Sequence, residues 1–114
     1  MNEDKNVCGF AKTMTVLEGK WTIILLYYLF QGKNRFGQLQ KAMPGISPKT
    51  LSLRLKELEN EIIITKKIFA EVPLHVEYSL TPRGQLLFKI IHAMDEWGSE
   101  NPNNRIDPKV KHFK

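Results

Sequence analysis

Pro44-Gly45-Ile46-Ser47-Pro48-Lys49-Thr50-Leu51-Ser52-Leu53-Arg54-Leu55-Lys56-Glu57-Leu58-Glu59-Asn60 contains a complete helix together with its start signal. Pro44-Gly45 stops whatever precedes it. Ser47 is suited to cap the new helix. Pro48 suits its first position, where a missing N–H has no partner to lose. Leu51, Leu55 and Leu58 recur at i, i+4 and i+7, which is one apolar stripe. At about 100° per residue, Lys49, Leu53 and Lys56 project from the opposite side, flanked by Thr50, Ser52 and Glu57.

On the N-terminal side, Asn34-Arg35-Phe36 is a polar turn with an apolar anchor. It leads into a short helix over about 36–42 that turns Phe36, Leu39 and Met43 inward. Two helices joined by a tight turn form a helix-turn-helix. On the C-terminal side the periodicity changes. Ile62–Phe69 is rich in β-branched residues and His75–Leu80 alternates apolar and polar, with Glu71-Val72-Pro73-Leu74 as the turn between them. This is a β-hairpin placed directly after the second helix of the pair, as a wing.

Further out, residues 20–31 are apolar nearly all round and predict the central buried helix, ended by Gly32. A first helix over about 8–18 carries Val7, Phe10, Ala11, Met14 and Leu17 as its stripe. Thr81-Pro82-Arg83 starts a last helix, about 82–97, with a wide apolar band of Leu86, Leu87, Ile90, Ile91, Met94 and Trp97. The fold class is therefore mainly α with a small β-hairpin wing, a winged helix-turn-helix. A single domain is expected over residues 8–98, between a flexible N-terminus (1–7) and a loose polar tail (99–114). No internal repeat or low-complexity segment interrupts it.

The chain has 114 residues, 42% hydrophobic and 25% charged, with a formal net charge of +5. The excess is concentrated. Residues 33–68 carry eight basic side chains (Lys33, Arg35, Lys41, Lys49, Arg54, Lys56, Lys66 and Lys67) against three acids, Glu57, Glu59 and Glu61. The remainder has nine of each sign. A local excess of this kind is an electrostatic footprint for phosphate, or else a solvated basic surface. One cysteine excludes an intrachain disulfide framework. The polar start reads as no signal peptide, and the apolar run Ile23–Phe30 is too short to span a bilayer, so a cytoplasmic protein without a membrane partner is expected.

These segments resemble the HxlR-type transcriptional regulators. The matching pieces are Cys8, Gly19-Lys20-Trp21-Thr22, Arg35-Phe36-Gly37-Gln38-Leu39, Pro44-Gly45-Ile46-Ser47, Leu51–Glu59, and Val76-Glu77-Tyr78-Ser79-Leu80-Thr81-Pro82-Arg83-Gly84. They stand in family order and spacing over roughly residues 8–98. Each is weak alone, and the ordered set is specific. The resemblance implies a winged-helix homodimer that binds double-stranded DNA at a palindromic operator, with the first and last helices at the dimer interface. It also implies repression as the usual outcome. Two departures stand out: Ile62 occupies a place where the family usually has Gly, and Lys66 one where Arg is common.

Site expectations follow from faces. Ser47, Lys49, Thr50 and Leu53 are the candidates for base edges, with Ser52 and Lys56 beside them. Leu53 either meets a thymine methyl or packs on the preceding helix. Arg54 either reaches phosphate or pairs with Glu57. Lys33, Arg35, Lys66 and Lys67 are candidate backbone clamps, which set affinity and register rather than sequence. His75 on the wing either touches DNA or is a plain strand residue.

Phe10, Met14, Leu87, Ile91, Met94 and Trp97 are the candidate dimer interface. The alternative for Met94 and Trp97 is packing within one subunit. Cys8 lies at a helix start, where a thiolate is favoured, with Lys5 and Lys12 nearby. Some members of the family it resembles sense oxidants or electrophiles through a cysteine at this place. Cys8 is thus either a redox switch or an inert packing thiol. His75, His92 and His112 show no paired metal spacing, and neither a metal nor another cofactor is expected.

No P-loop, G-x-S-x-G, H-E-x-x-H or dinucleotide fingerprint is present, so an enzyme is not expected. The rival class is a winged helix used for protein–protein contact. That reading requires an exposed apolar groove and weak salt dependence.

Overall fold

The computed structural model describes residues 8–100. The chain runs α1 (Gly9–Leu17), α2 (Lys20–Phe30), α3 (Phe36–Ala42), α4 (Pro48–Asn60), β1 (Ile64–Phe69), β2 (His75–Leu80) and α5 (Pro82–Ser99). The order is the one the periodicities predict. Val7, Lys5 and His112, and nearly all of the expected flanking segments, lie outside the described residues.

α2 is the hub. Leu25 and Leu26 are fully buried, with Tyr28, Leu29 and Thr22 close behind. Around it lie Leu39 and Met43 of the α3 region, Leu51, Leu55 and Leu58 of α4, Ile63 and Ile64 before and at the start of β1, and Leu87 of α5. Each amphipathic helix turns its stripe onto this one cluster, which is how a short chain gathers a core. Phe30 of α2 meets Phe88 of α5 edge to face, with ring centroids 4.9 Å apart.

α2 and α4 end in the same device. At the end of α2, Gly32 N–H donates to the Leu29 carbonyl and Lys33 N–H to that of Tyr28, with Gly32 at φ 94°. At the end of α4, Ile62 N–H donates to Glu59 O and Ile63 N–H to Leu58 O, both at 2.9 Å. These paired bonds are the Schellman closure, which needs a left-handed residue just past the helix. Ile62 supplies it at φ 59°. The expectation that the first strand begins at Ile62 is thereby corrected. Ile62 is the closing residue of the helix, Ile63 turns into the core, and β1 starts at Ile64.

β1 and β2 pair antiparallel, Ile64 opposite Leu80 through Phe69 opposite His75. The wing is anchored at its base. Thr81 Oγ1 donates to the carbonyl of Ile62 at 2.6 Å and accepts from Gly84 N–H at 3.0 Å, so one hydroxyl both ties the α4 exit and caps α5. α5 runs two residues beyond the expected end at Trp97, to Ser99.

The apolar band of α5 divides. Leu87 is 9% exposed and belongs to the subunit's own core, and Ile91 packs against it half-buried. Leu86, Ile90, Met94 and Trp97 are exposed. On α1, Leu17 is buried, whereas Phe10 and Met14 are exposed. The wide band thus serves two surfaces: Leu87 and Ile91, expected at a dimer interface, pack on the subunit's own core, and the others do not.

Candidate nucleic-acid interface

Ser47 starts α4. Its Oγ accepts Thr50 N–H at 3.0 Å and lies 3.0 Å from Thr50 Oγ1, to which it donates. Pro48 occupies the first turn. The helix is held from behind by Leu51, Leu55 and Leu58, each at most 2% exposed. With that side fixed, Lys49, Ser52, Leu53 and Lys56 face solvent, as does Ser47 at the cap, and Thr50 is half-buried. Leu53 is 51% exposed, which settles its placement on the outer face.

Arg54 sits at the edge of the stripe. Its Nη1 holds both oxygens of Glu57, at 2.9 and 3.1 Å, and its Nε is shielded from solvent without an acceptor among the described residues. The pairing with Glu57 is therefore the one the structure realises. An exposed pair of this kind is weak, at most about 1 kcal/mol, so it orients Arg54 without locking it.

The segment before α3 is bound to the wing. Gln38 Oε1 accepts the N–H groups of Asn34 and Arg35 at 3.1 and 3.2 Å, and Asn34 O accepts Tyr78 N–H at 2.9 Å. Tyr78 pairs across the hairpin with Lys66. Lys33 and Arg35 thus flank one side of β2, while Lys66 and Lys67 lie on the strand at its other side. Lys66 and Lys67 are exposed; Lys33 and Arg35 are half-buried. Lys33 Nζ lies 5.9 Å from the centre of the Tyr28 ring, which steadies its stem. Asn34 thus ties the segment of Lys33 and Arg35 to β2, whose partner strand carries Lys66 and Lys67 at its middle, on alternate faces of the hairpin. Burial, and after it the Glu59 carboxylate, pushes the Tyr78 phenol above its ordinary range.

His75 lies at the far end of the same strand and is held by its own hairpin. Its Nε2 lies 3.1 Å from Glu77 Oε2, its Nδ1 3.9 Å from Glu71, and its ring stacks on Phe69 with centroids 4.7 Å apart. Of the two expectations for His75, the contacts within the hairpin are those of a strand residue, placed beside the wing tip, where the Val72–Pro73 peptide is cis.

Cys8 is the N-cap of α1 and is exposed, with Sγ 3.5 Å from Ala11 N. Among the described residues no group of three His, Cys, Asp or Glu is arranged to hold a metal ion. No helix among them is long and apolar enough to cross a membrane.

Three residues that position the interface escape residue-by-residue reading. Asn34 acts through its backbone oxygen, which no side-chain pattern reveals. Thr81 and Gly84 act through a shared turn. A Cβ at Gly84 would collide with the Ile63 carbonyl. Their signal lay in the Thr81-Pro82-Arg83-Gly84 run itself.

A helix held at Ser47, backed by leucines and followed by a tethered wing, is the order of a winged helix-turn-helix. The model of the HxlR-like helix-turn-helix family matches residues 16–106. The chain belongs to this family. An HTH-type transcriptional regulator of Synechocystis sp., sll1512, is 43% identical over 98 residues, covering 86% of this chain and 73% of that one. Among solved structures, the redox regulator HypR in its reduced form superposes with a TM-score of 0.76 at 39% identity, covering 83% of this chain and 94% of that chain. Reduced YodB of Bacillus subtilis, a transcriptional regulator, gives 0.72 at 30%, with the same two coverages. The present chain is thus an HxlR-type winged helix-turn-helix of the transcriptional-regulator class, and DNA is the partner its family implies.

Proposed function

We propose that this HxlR-type chain is a homodimeric repressor of transcription that reads a palindromic operator, with Cys8 coupling occupancy to oxidants or electrophiles. The observation that carries the reading is the outer face of α4. Ser47, Lys49, Ser52, Leu53 and Lys56 are exposed opposite three buried leucines, so the face is both free and rigidly backed. Ser47, Lys49, Thr50 and Leu53 reach base edges in the major groove, with Ser52 and Lys56 flanking them. Lys33, Arg35, Lys66 and Lys67 hold phosphates on either side of β2. Arg54 leaves Glu57 for a phosphate when one is present, since the exposed ion pair offers little resistance.

One such helix covers only a few base pairs. Two related by a two-fold axis read half-sites about one turn apart, roughly 34 Å. Phe10, Met14, Met94 and Trp97 supply the interface. Trp97 is 82% exposed and Phe10 75%, which is costly on a lone subunit and natural on one half of a dimer. The dimer deletes this surface from water.

The single cysteine means that a protein disulfide has to join two chains. Two Cys8 thiols give up two protons and two electrons to diamide, which is reduced to its hydrazine, and one S–S bond forms. The reading draws on the exposed place of Cys8 beside Phe10 and on HypR, a redox regulator by its own description.

Fluorescence anisotropy with the DNA upstream of the protein's own gene, at two salt concentrations, tests the core of this reading. Specific binding by a dimer that weakens steeply with salt is expected. Absence of binding at low salt refutes it and favours a protein-interaction module. With diamide, wild-type affinity for the operator changes and Cys8→Ser is inert; an equal response in both removes the switch.

A further inference from the structure

Between α1 and the first half of α5 lies a cavity of about 750 Å³ that the DNA-binding reading does not use. Val16, Ile63, Leu87 and Ile90 form its apolar wall. A volume of this size, mostly apolar with a few polar groups, is typical of small-molecule sites. Its polar groups are uneven in what they offer. The hydroxyls of Thr13 and Thr15 are spent on the Gly9 and Ala11 carbonyls, at 2.9 and 3.0 Å. Lys12 lines the cavity with no ion-pair partner among the described residues. Arg83 lines it too, with Nε donating to Glu61 O at 2.8 Å and Nη2 3.5 Å from Glu61 Oε1. Two cations thus face one carboxylate, and one positive charge is left over. Gly9 and Arg83 also place the starts of α1 and α5 on the rim, adding the positive ends of two helix dipoles.

We propose that this cavity is a binding site for a small organic anion with an apolar body, whose carboxylate or sulfonate is held by Lys12 and Arg83. The anion competes with the Glu61 carboxylate for the Arg83 guanidinium. Glu61 is the residue that ends α4, so occupancy loosens the side-chain tie at the exit of that helix while leaving the Arg83 bond to the Glu61 carbonyl in place. Its apolar body lies on Val16, Leu87 and Ile90. A neutral ligand of the same shape lacks the charged half of the recognition. A second copy of the chain is the other occupant such a cleft invites, and it would leave no room for the anion.

The test is fluorescence titration of the full chain with 1-anilinonaphthalene-8-sulfonate, and with the neutral N-phenyl-1-naphthylamine as its uncharged counterpart. Neither measurement involves DNA, so its result is independent of the operator reading. One sulfonate site per subunit is expected. Lys12→Glu, on the exposed face of α1, weakens it about tenfold, as loss of a charge-assisted contact does. Arg83→Gln weakens it similarly. Glu61→Gln removes the competitor and tightens it severalfold. Circular dichroism confirms that each variant is folded. Sulfonate affinity that is the same in wild type, Lys12→Glu and Glu61→Gln overturns the proposal, as does equal affinity for the neutral amine. Absence of saturable binding to the dimer overturns it as well, and identifies the cleft as filled by the second copy.

Discussion

Ile62 and Gly84 sit on either side of one knot of hydrogen bonds, and a Cβ is unfavourable at both places, so exchanging glycine in at one and out at the other moves stability in opposite directions. Ile62 closes α4 at φ 59°, a conformation that costs an L residue about 1–2 kcal/mol and a β-branched one no less. Its side chain is 63% exposed, so little packing compensates. Gly32 performs the same closure on α2 without that strain. Ile62→Gly is therefore expected to stabilise the domain by about 1 kcal/mol, after the extra chain entropy of glycine is subtracted. The melting temperature rises by about 4–8 °C. An unchanged or lower melting temperature would refute the strain. Gly84→Ala goes the other way. The added methyl meets the Ile63 carbonyl, which is backbone and already bound by Thr81. Loss of at least about 3 kcal/mol is expected, read as a collapse of the denaturant midpoint. The departure at Ile62 was legible in the sequence, because glycine is the residue that position favours. Its strain was not, because a chain of three isoleucines reads equally well as the start of a strand.

At the scale of elements, the proposed function divides the work of recognition between α4 and the wing, and assigns the sequence-reading face to α4. Leu53→Ala removes an apolar contact with a thymine methyl, so discrimination at one base-pair position is expected to relax by about 1 kcal/mol. The salt dependence should stay as it was, because no charge is lost. The wing carries Lys66 and Lys67. Lys66→Ala with Lys67→Ala is expected to flatten the slope of log affinity against log salt by about two units and to leave base preference intact. Operator variants titrated at several salt concentrations separate the two patterns, and a double variant with an unaltered slope would remove the wing from the phosphate backbone. Helix α4 was legible to the residue, since Ser47-Pro48 and the leucine spacing are local signals. The links between elements were not. The Asn34–Tyr78 bond joins residues far apart in the chain through backbone atoms alone. The place of His75 depends on Glu71, Glu77 and Phe69 meeting across a turn.

For the whole molecule, the question is where apolar surface goes when one small core cannot take all of it. The chain supplies α5 with more apolar positions than α2 can receive. Leu87 and Ile91 meet the core, and Met94 and Trp97 extend past it, at 51% and 82% exposure. Sequence periodicity gives the band but not its division, because a helix face wider than about 100° does not say which edge its neighbour covers. The division runs along the helix and not only at its end: Leu86 and Ile90 are exposed beside the buried positions, and Met94 and Trp97 lie beyond them. Phe10 and Met14 on α1 are left open in the same way, so two helices remote in sequence present surface that one subunit cannot bury. A large aromatic anchor at the centre of such an interface contributes about 2 kcal/mol or more. In a two-fold dimer Trp97 is truncated twice by one substitution. Trp97→Ala is therefore expected to raise the dimer dissociation constant by at least about a hundredfold. The folded subunit should survive, since Trp97 contributes nothing to the core. Sedimentation equilibrium across a concentration series measures the constant. Operator binding should fall with it and recover at higher protein concentration, because two α4 helices are needed at once. A dissociation constant unmoved by Trp97→Ala would place the interface elsewhere on the molecule, and the two-fold reading of the operator would need another axis.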